Sequence, residues 1–376
     1  MSKSVMVFGI GDAGGWALEF LARYEGVDTI YTADIRKEYG LYRTEMAAVG
    51  ASNQGHYKRF EFHELDVNDI DNTARLLEKL KPNVIFSALT LQSPRAMSLI
   101  PFPPSVRSML GEVRMGLQLP WHLTLISKLM KAVKQSGIAA PVVNASFPDA
   151  INPILWRKGL GPTCGIGNSE HQAADMRRRV SEEENVPISD VRIYLVGSLA
   201  LLTHGSSVPF YLKITVREKD VTNKYNAKSL IDNAIASPRN PNVPSGFHLY
   251  STTGASAAKN VMAILNDTRE FTHAAAPNGL PGTYPVHLGA VGAEIALPKD
   301  LSLGEAMEIG EESLKWHGIE GIKEDGTVVY TDRAYGIMKE LLGYDCKELY
   351  FDEVEQKAKE LTLLHAYKKF AERFTR

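Results

Sequence analysis

The stretch Val5-Met6-Val7-Phe8-Gly9-Ile10-Gly11-Asp12-Ala13-Gly14-Gly15 constrains this chain most. Four apolar residues run straight into a G-x-G-x-x-G turn, and helical spacing (Trp16, Ala17, Phe20, Leu21) begins at once. Strand, glycine turn and helix in that order form the context in which a backbone cradles a dinucleotide. Gly9 permits the tight turn, Gly11 lets the backbone approach a pyrophosphate, and Gly14 lets the helix pack close to the strand. The pyrophosphate then sits at the helix N-terminus, over the amides of Asp12 and Ala13, where the helix dipole favours negative charge. The alternative is a glycine-rich turn in a Rossmann-like domain that no longer binds nucleotide.

The 376 residues suggest two domains, 1–149 for NAD(P) binding and 150–376 for catalysis, substrate and oligomerisation. The net charge of −2, without a basic tract, argues against nucleic acid as a partner. No apolar run approaches a membrane span, and the N-terminus lacks a signal-peptide core, so we expect a cytoplasmic enzyme. Two distant cysteines, Cys164 and Cys346, suggest neither a disulfide framework nor a zinc cluster, and no metal is expected.

Strands are expected at 29–33, 60–66, 84–88 and 141–145, alternating with helices, which argues for a doubly wound parallel α/β sheet. Asp34, Ile35 and Arg36 follow the second strand. A carboxylate there accepts hydrogen bonds from the adenosine ribose and repels a 2′-phosphate, favouring NAD. Arg36 and Lys37 are the residues that hold that phosphate if NADP is used instead. Ser87, Ala88 and Leu89 close the fourth strand, on the path of the nicotinamide ribose. Asn144 and Ser146 close the fifth, at the edge where open α/β sheets bind ligands; equally, Ser146 or Asp149 caps the next helix. Residues 89–118, punctuated by prolines and arginines, read as a lid or binding loop, with Arg95 offered to an anionic substrate. Asn168, Glu170 and His171 open a long helix, and Asn168 is a candidate substrate ligand. His204, followed by Gly205-Ser206-Ser207 between two strands, reads as an active-site turn, with a side chain that exchanges protons near neutral pH. Helices are expected within 222–268, split by the proline-rich 237–245 segment, and at 303–316, 334–342 and 353–374. A hairpin is expected at Asp325-Gly326.

Taken in order, these motifs resemble the lactate/malate dehydrogenase superfamily over about residues 5–316. The glycine turn and Asp34 resemble its cofactor domain. Asn144 to Asp149 resembles its Asn-Pro-x-Asp turn. His204-Gly205-Ser206-Ser207 resembles its catalytic-histidine turn, and Tyr284-Pro285-Val286-His287-Leu288-Gly289 to Glu294 its late strand-turn-strand. The resemblance implies an N-terminal Rossmann sheet, a C-terminal α+β domain, and His204 as proton donor or acceptor beside the hydride-transfer carbon. It also implies a homodimer or homotetramer. The family's aspartate-arginine pair at the start of the long helix is absent. There Glu170 stands to orient His204, or His171 takes that place. More distantly, the chain resembles the family 4 glycosidases, but Gly167 replaces their metal-binding cysteine. Leu65-Asp66-Val67 and the 84–89 strand resemble saccharopine-dehydrogenase-like proteins. The sequence therefore reads as an NAD(P)-dependent oxidoreductase of a small polar substrate. A non-redox enzyme using bound NAD transiently, or a cofactor sensor without catalysis, are the alternatives.

Overall fold

The computed structural model describes residues 2–94, 100, 102–234 and 249–361. Arg95, the 237–245 segment and the C-terminal part of the expected 353–374 helix lie outside them. The strands β1 (Ser4–Phe8), β2 (Thr29–Asp34), β3 (Arg59–Glu64), β4 (Val84–Ser87), β5 (Val142–Asn144) and β6 (Cys164–Gly165) pair in parallel in the spatial order 3-2-1-4-5-6. This is the doubly wound α/β arrangement, whose switch point lies between β1 and β4.

Alternate residues of β1 serve two cores, as a strand's twofold period requires. Val5 and Val7 pack on one face with α1 (Asp12–Leu21) and α10 (Tyr250–Asn266); α2 (Lys37–Asn53) adds Ala47 and Ala51. Met6 and Phe8 pack on the other face with α3 (Ile70–Leu80), α5 (Arg114–Ser136) and α6 (Pro148–Arg157). Asp69 caps α3 through Asn72 N at 2.9 Å.

The sheet continues past β6. Ala275 of β10 (Glu270–Ala275) pairs with Gly165, and β11 (Thr283–Gly289) and β12 (Gly292–Ile295) follow, all antiparallel. Between them in sequence, α7 (Glu170–Glu183) leads to an antiparallel sheet of β7 (Val191–Val196), β8 (Tyr211–Val216) and β9 (Lys219–Asp220). Gly197 and Thr283 exchange backbone hydrogen bonds of 3.3 and 2.6 Å and join the two sheets. Gly282 takes φ +95 at this joint, and a Cβ on it would lie 2.6 Å from the Gly197 carbonyl. Short helices α8 (Leu199–His204) and α9 (Ala227–Asp232) flank the small sheet. After α11 (Leu303–Lys315), a third sheet of β13 (Ile319–Ile322), β14 (Val328–Tyr330) and β15 (Glu348–Leu349) packs with α12 (Asp332–Leu342) and α13 (Val354–Glu360).

Two expectations are corrected. Residues 89–118 are not one long loop: α4 spans Pro104–Glu112 and α5 begins at Arg114. Pro104 sits in the first helical turn, where a missing N–H costs nothing. Pro120 lies inside α5 and cannot bond the Gly116 carbonyl, so the helix survives by an outside donor. The Tyr330 hydroxyl donates to that carbonyl at 3.0 Å. The second concerns His204, which ends helix α8 rather than sitting in a simple interstrand turn. Ser198 caps α8 by accepting from Ala200 N at 3.1 Å, a start signal hidden in a run of small and apolar residues.

Tyr330→Phe should cost about 1–2 kcal/mol in urea unfolding, because it leaves the buried Gly116 carbonyl without a donor. An unchanged midpoint would show that the helix does not need the tyrosine.

Candidate active site

A cleft of about 560 Å³ opens at the carboxyl edge of the parallel strands, beside the switch point. Its walls include Gly9, Gly11, Asp12, Ala13 and Gly14 of the glycine turn, Asp34, Ile35 and Arg36 beyond β2, and Ala88 to Pro94 beyond β4. The turn is built as its glycines demand. Gly9 takes φ +77, and a Cβ on Gly14 would fall 1.8 Å from the Gly9 carbonyl oxygen. Gly11 differs: the nearest atom to a Cβ there is Arg36 Nη2 at 3.8 Å, so its missing side chain leaves room rather than relieving a clash. No side chain caps α1, whose N-terminus follows Gly11 directly. That end of the cleft is therefore a polar, positive-tending hollow that fits a pyrophosphate.

Asp34 is buried and fully engaged. Its Oδ2 accepts from Ile10 N at 3.1 Å and Arg36 Nη2 at 3.2 Å; its Oδ1 accepts from Arg36 N and Nε, both at 3.0 Å. Hydrogen bonding to Asp34 raises the Arg36 pKa above its ordinary value.

Other walls carried weaker sequence signals or none. Leu65, Asp66, Val67 and Asn68 follow β3 at the same edge, where the strand rule points, but the Leu-Asp-Val run is too common to single out. Tyr39 comes from the first turn of α2, and Tyr250 opens α10, far away in sequence.

The remaining candidates are not among the residues that wall this cleft. Ser87 is fully buried, and its Oγ has no hydrogen-bond partner among the described residues. Asn144 spends its amide on the Ser146 carbonyl (3.0 Å) and Asn152 Oδ1 (2.9 Å), and its oxygen on Ser146 N (2.9 Å). Ser146 donates to the Leu89 carbonyl, fastening the β5 turn to a cleft wall. Neither caps α6, whose N-cap Phe147 takes φ 35 without a side-chain bond.

Beyond that turn, Asp149 is buried and receives Asn168 Nδ2 and Leu199 N, both at 2.7 Å. Burial pushes its carboxyl up to about 6, against the pull of the two donors. Asp149 thus ties the start of α7 to the start of α8, the helix that carries His204. The His204 ring packs against Trp316 (centroids 5.3 Å apart) and His317 (6.1 Å), and His317 in turn meets Phe147 edge-on at 5.5 Å.

Glu170 does not bond a histidine. Its oxygens accept from Lys259 Nζ and from Ser256 Oγ, the latter at 2.6 Å. Ser256 also accepts from Gly167 N at 2.9 Å, so the group clamps α7 to α10. The expectation that Glu170 orients His204 is therefore corrected: the half-buried Lys259 supplies the charged partner instead. Burial works to raise the Glu170 pKa, but the Lys259 charge and hydrogen bonds outweigh it and hold the group ionised. Burial is the chief cause that lowers the His171 pKa below its ordinary value. Among the described residues no group of three or more His, Cys, Asp or Glu side chains is gathered to hold a metal ion, and no helix is long and apolar enough to cross a membrane.

No protein-family model matches the chain, and no curated protein matches its sequence. Solved structures do. Malate dehydrogenase from Picrophilus torridus is similar at TM-score 0.60 and 16% identity, covering 84% of this chain and 95% of that one. Lactate dehydrogenase from Cryptosporidium parvum, in complex with lactic acid and nicotinamide adenine dinucleotide, is similar at TM-score 0.58 and 17% identity, covering 84% and 96%. A lactate dehydrogenase from a Medee basin deep-sea metagenome library gives TM-score 0.58 and 15% identity over the same shares. The fold is that of the lactate and malate dehydrogenases.

The two glycines separate folding from binding. Gly11→Val should leave thermal stability within about 1 kcal/mol and abolish dinucleotide binding, because its side chain projects into the hollow. Gly14→Ala should lower stability by several kcal/mol, because its Cβ meets backbone. Calorimetry and NADH titration of both variants check this; equal destabilisation would contradict it.

Proposed function

We propose that the chain is a nicotinamide-dinucleotide-dependent oxidoreductase acting on a carbinol or carbonyl carbon of a small polar substrate. His204 is the acid–base group in this reading. The observation that carries it is one cleft at the switch point of a 3-2-1-4-5-6 sheet, walled by the uncapped glycine turn, Asp34 and Arg36. The likeness in fold to lactate and malate dehydrogenases, one of them solved with its dinucleotide, supports it. Residues 1–149 hold the cofactor, NAD or its 2′-phosphorylated form, and residues 150–376 supply the chemistry.

The bound cofactor supplies or accepts the hydride. The chain's own work is to bind, dry and protonate. The first-turn amides of α1 neutralise the pyrophosphate. Leu65, Val67, Leu89, Leu91 and Leu125 give the cleft apolar walls that exclude water around the adenine and ribose. A ring nitrogen of His204 takes the hydroxyl proton during oxidation and returns it during reduction. Trp316 and His317 restrain the imidazole by tilted ring contacts. Asn168, held by Asp149 at the start of α7, offers a polar contact to the substrate.

The test follows NADH consumption with a panel of small 2-oxo acids and ketones. His204→Asn should cut kcat by at least about 100-fold on any substrate found, with NADH affinity unchanged. Turnover at the wild-type level in that variant would remove His204 from the chemistry.

A further inference from the structure

Asp34 has the position of a ribose-binding carboxylate but not its freedom. A carboxylate offers roughly four acceptor sites. Three of those on Asp34 take donors from Arg36 and the fourth takes Ile10 N. An adenosine ribose seeking this carboxylate has to displace Arg36. Meanwhile the Arg36 guanidinium lies 4.1 Å over the Tyr39 ring and beside the open Gly11 position, and both residues line the cleft. Asp34 and Tyr39 hold it in place, while Nη1 makes no hydrogen bond among the described residues. A planar, stacked guanidinium with free N–H groups is the donor geometry that grips a phosphate in two-point fashion.

The other charges near this corner leave the task to Arg36. Lys37 is drawn off to Glu64 at 3.2 Å. Asp66 lies beyond β3, and its Oδ1 accepts from Asn68 N and Nδ2 at 2.9 and 2.8 Å. Asp12 belongs to the first turn of α1, on the pyrophosphate side.

We infer that Arg36 sets the choice between dinucleotides: it neutralises and fills Asp34, which otherwise selects NADH, and presents its guanidinium to the 2′-phosphate of NADPH. The inference rests on the reading of the cleft as a dinucleotide site. The full-length protein then binds NADPH at least as tightly as NADH, although an aspartate ends β2.

Titration calorimetry with NADH and NADPH on the wild type, Arg36→Gln and Asp34→Asn tests this. The wild type should bind NADPH no more weakly than NADH. Arg36→Gln should lose at least about tenfold in NADPH affinity while NADH changes by less than about threefold. Asp34→Asn, which keeps an oxygen for Ile10 and releases Arg36, should shift the ratio further toward NADPH. Preference of the wild type for NADH by more than about tenfold, or equal loss of both nucleotides in Arg36→Gln, overturns the assignment. Binding of neither nucleotide to the wild type defeats the dinucleotide reading itself, and this assignment with it.

Discussion

The approach of α1 to β1 is the constraint on which the rest depends. Gly14 lies so close to the Gly9 carbonyl that no side chain fits between them. That contact turns the chain from strand to helix within a few residues and aims the helix N-terminus along the carboxyl edge of the sheet. Gly9 N–H in turn donates to the Ala33 carbonyl of β2 at 2.8 Å, and Ala88 N–H donates to the Phe8 carbonyl at 2.9 Å. The ends of β1, β2 and β4 are thereby gathered around one turn. The cleft opens beside these strand ends, with the residues after β3 and Tyr250 of α10 completing its walls.

The residues that follow β5 are organised by buried polar joints rather than by apolar packing alone. Asp149 unites Asn168 and Leu199; Glu170 unites Lys259 and Ser256. A buried charge without partners is costly, so each such group must find donors and fixes the elements that supply them. Asp149 is the joint nearest to His204, since it holds the first residue of the helix that His204 ends. Where the resembling family has its aspartate-arginine pair, the start of α7 is clamped to α10 through lysine and serine.

The fold was legible where local chemistry and burial agree. The glycine turn, the apolar strands at 84–87 and 142–144, and the Asp69 cap each carry their own signal. The hairpin at Asp325-Gly326 does too, with Gly326 at φ 83. Legibility failed where a distant partner decides. Prolines between 101 and 120 read as breakers, yet Tyr330, over two hundred residues on, repairs the one break inside α5. The same holds for the cleft. Residues next to the glycines and after β2 and β4 are named by the strand–turn rule, whereas Tyr250 arrives from α10 by packing alone. Asn144 and Ser146 stand at the right edge of the sheet, but their hydrogen bonds run into the protein, which no spacing reveals. Glu170 was legible as a functional type of residue and not as a partner of Lys259, since their side chains meet only when α7 and α10 pack.

The central claim is that the hollow at Gly11 is a pyrophosphate site at the head of α1. A crystal structure of the protein grown with NADH or NADPH tests it most directly. The account predicts the pyrophosphate over the amides following Gly11, with the adenosine between Arg36 and the Asp66-Val67 wall. A dinucleotide bound elsewhere, with the glycine turn empty, would contradict it.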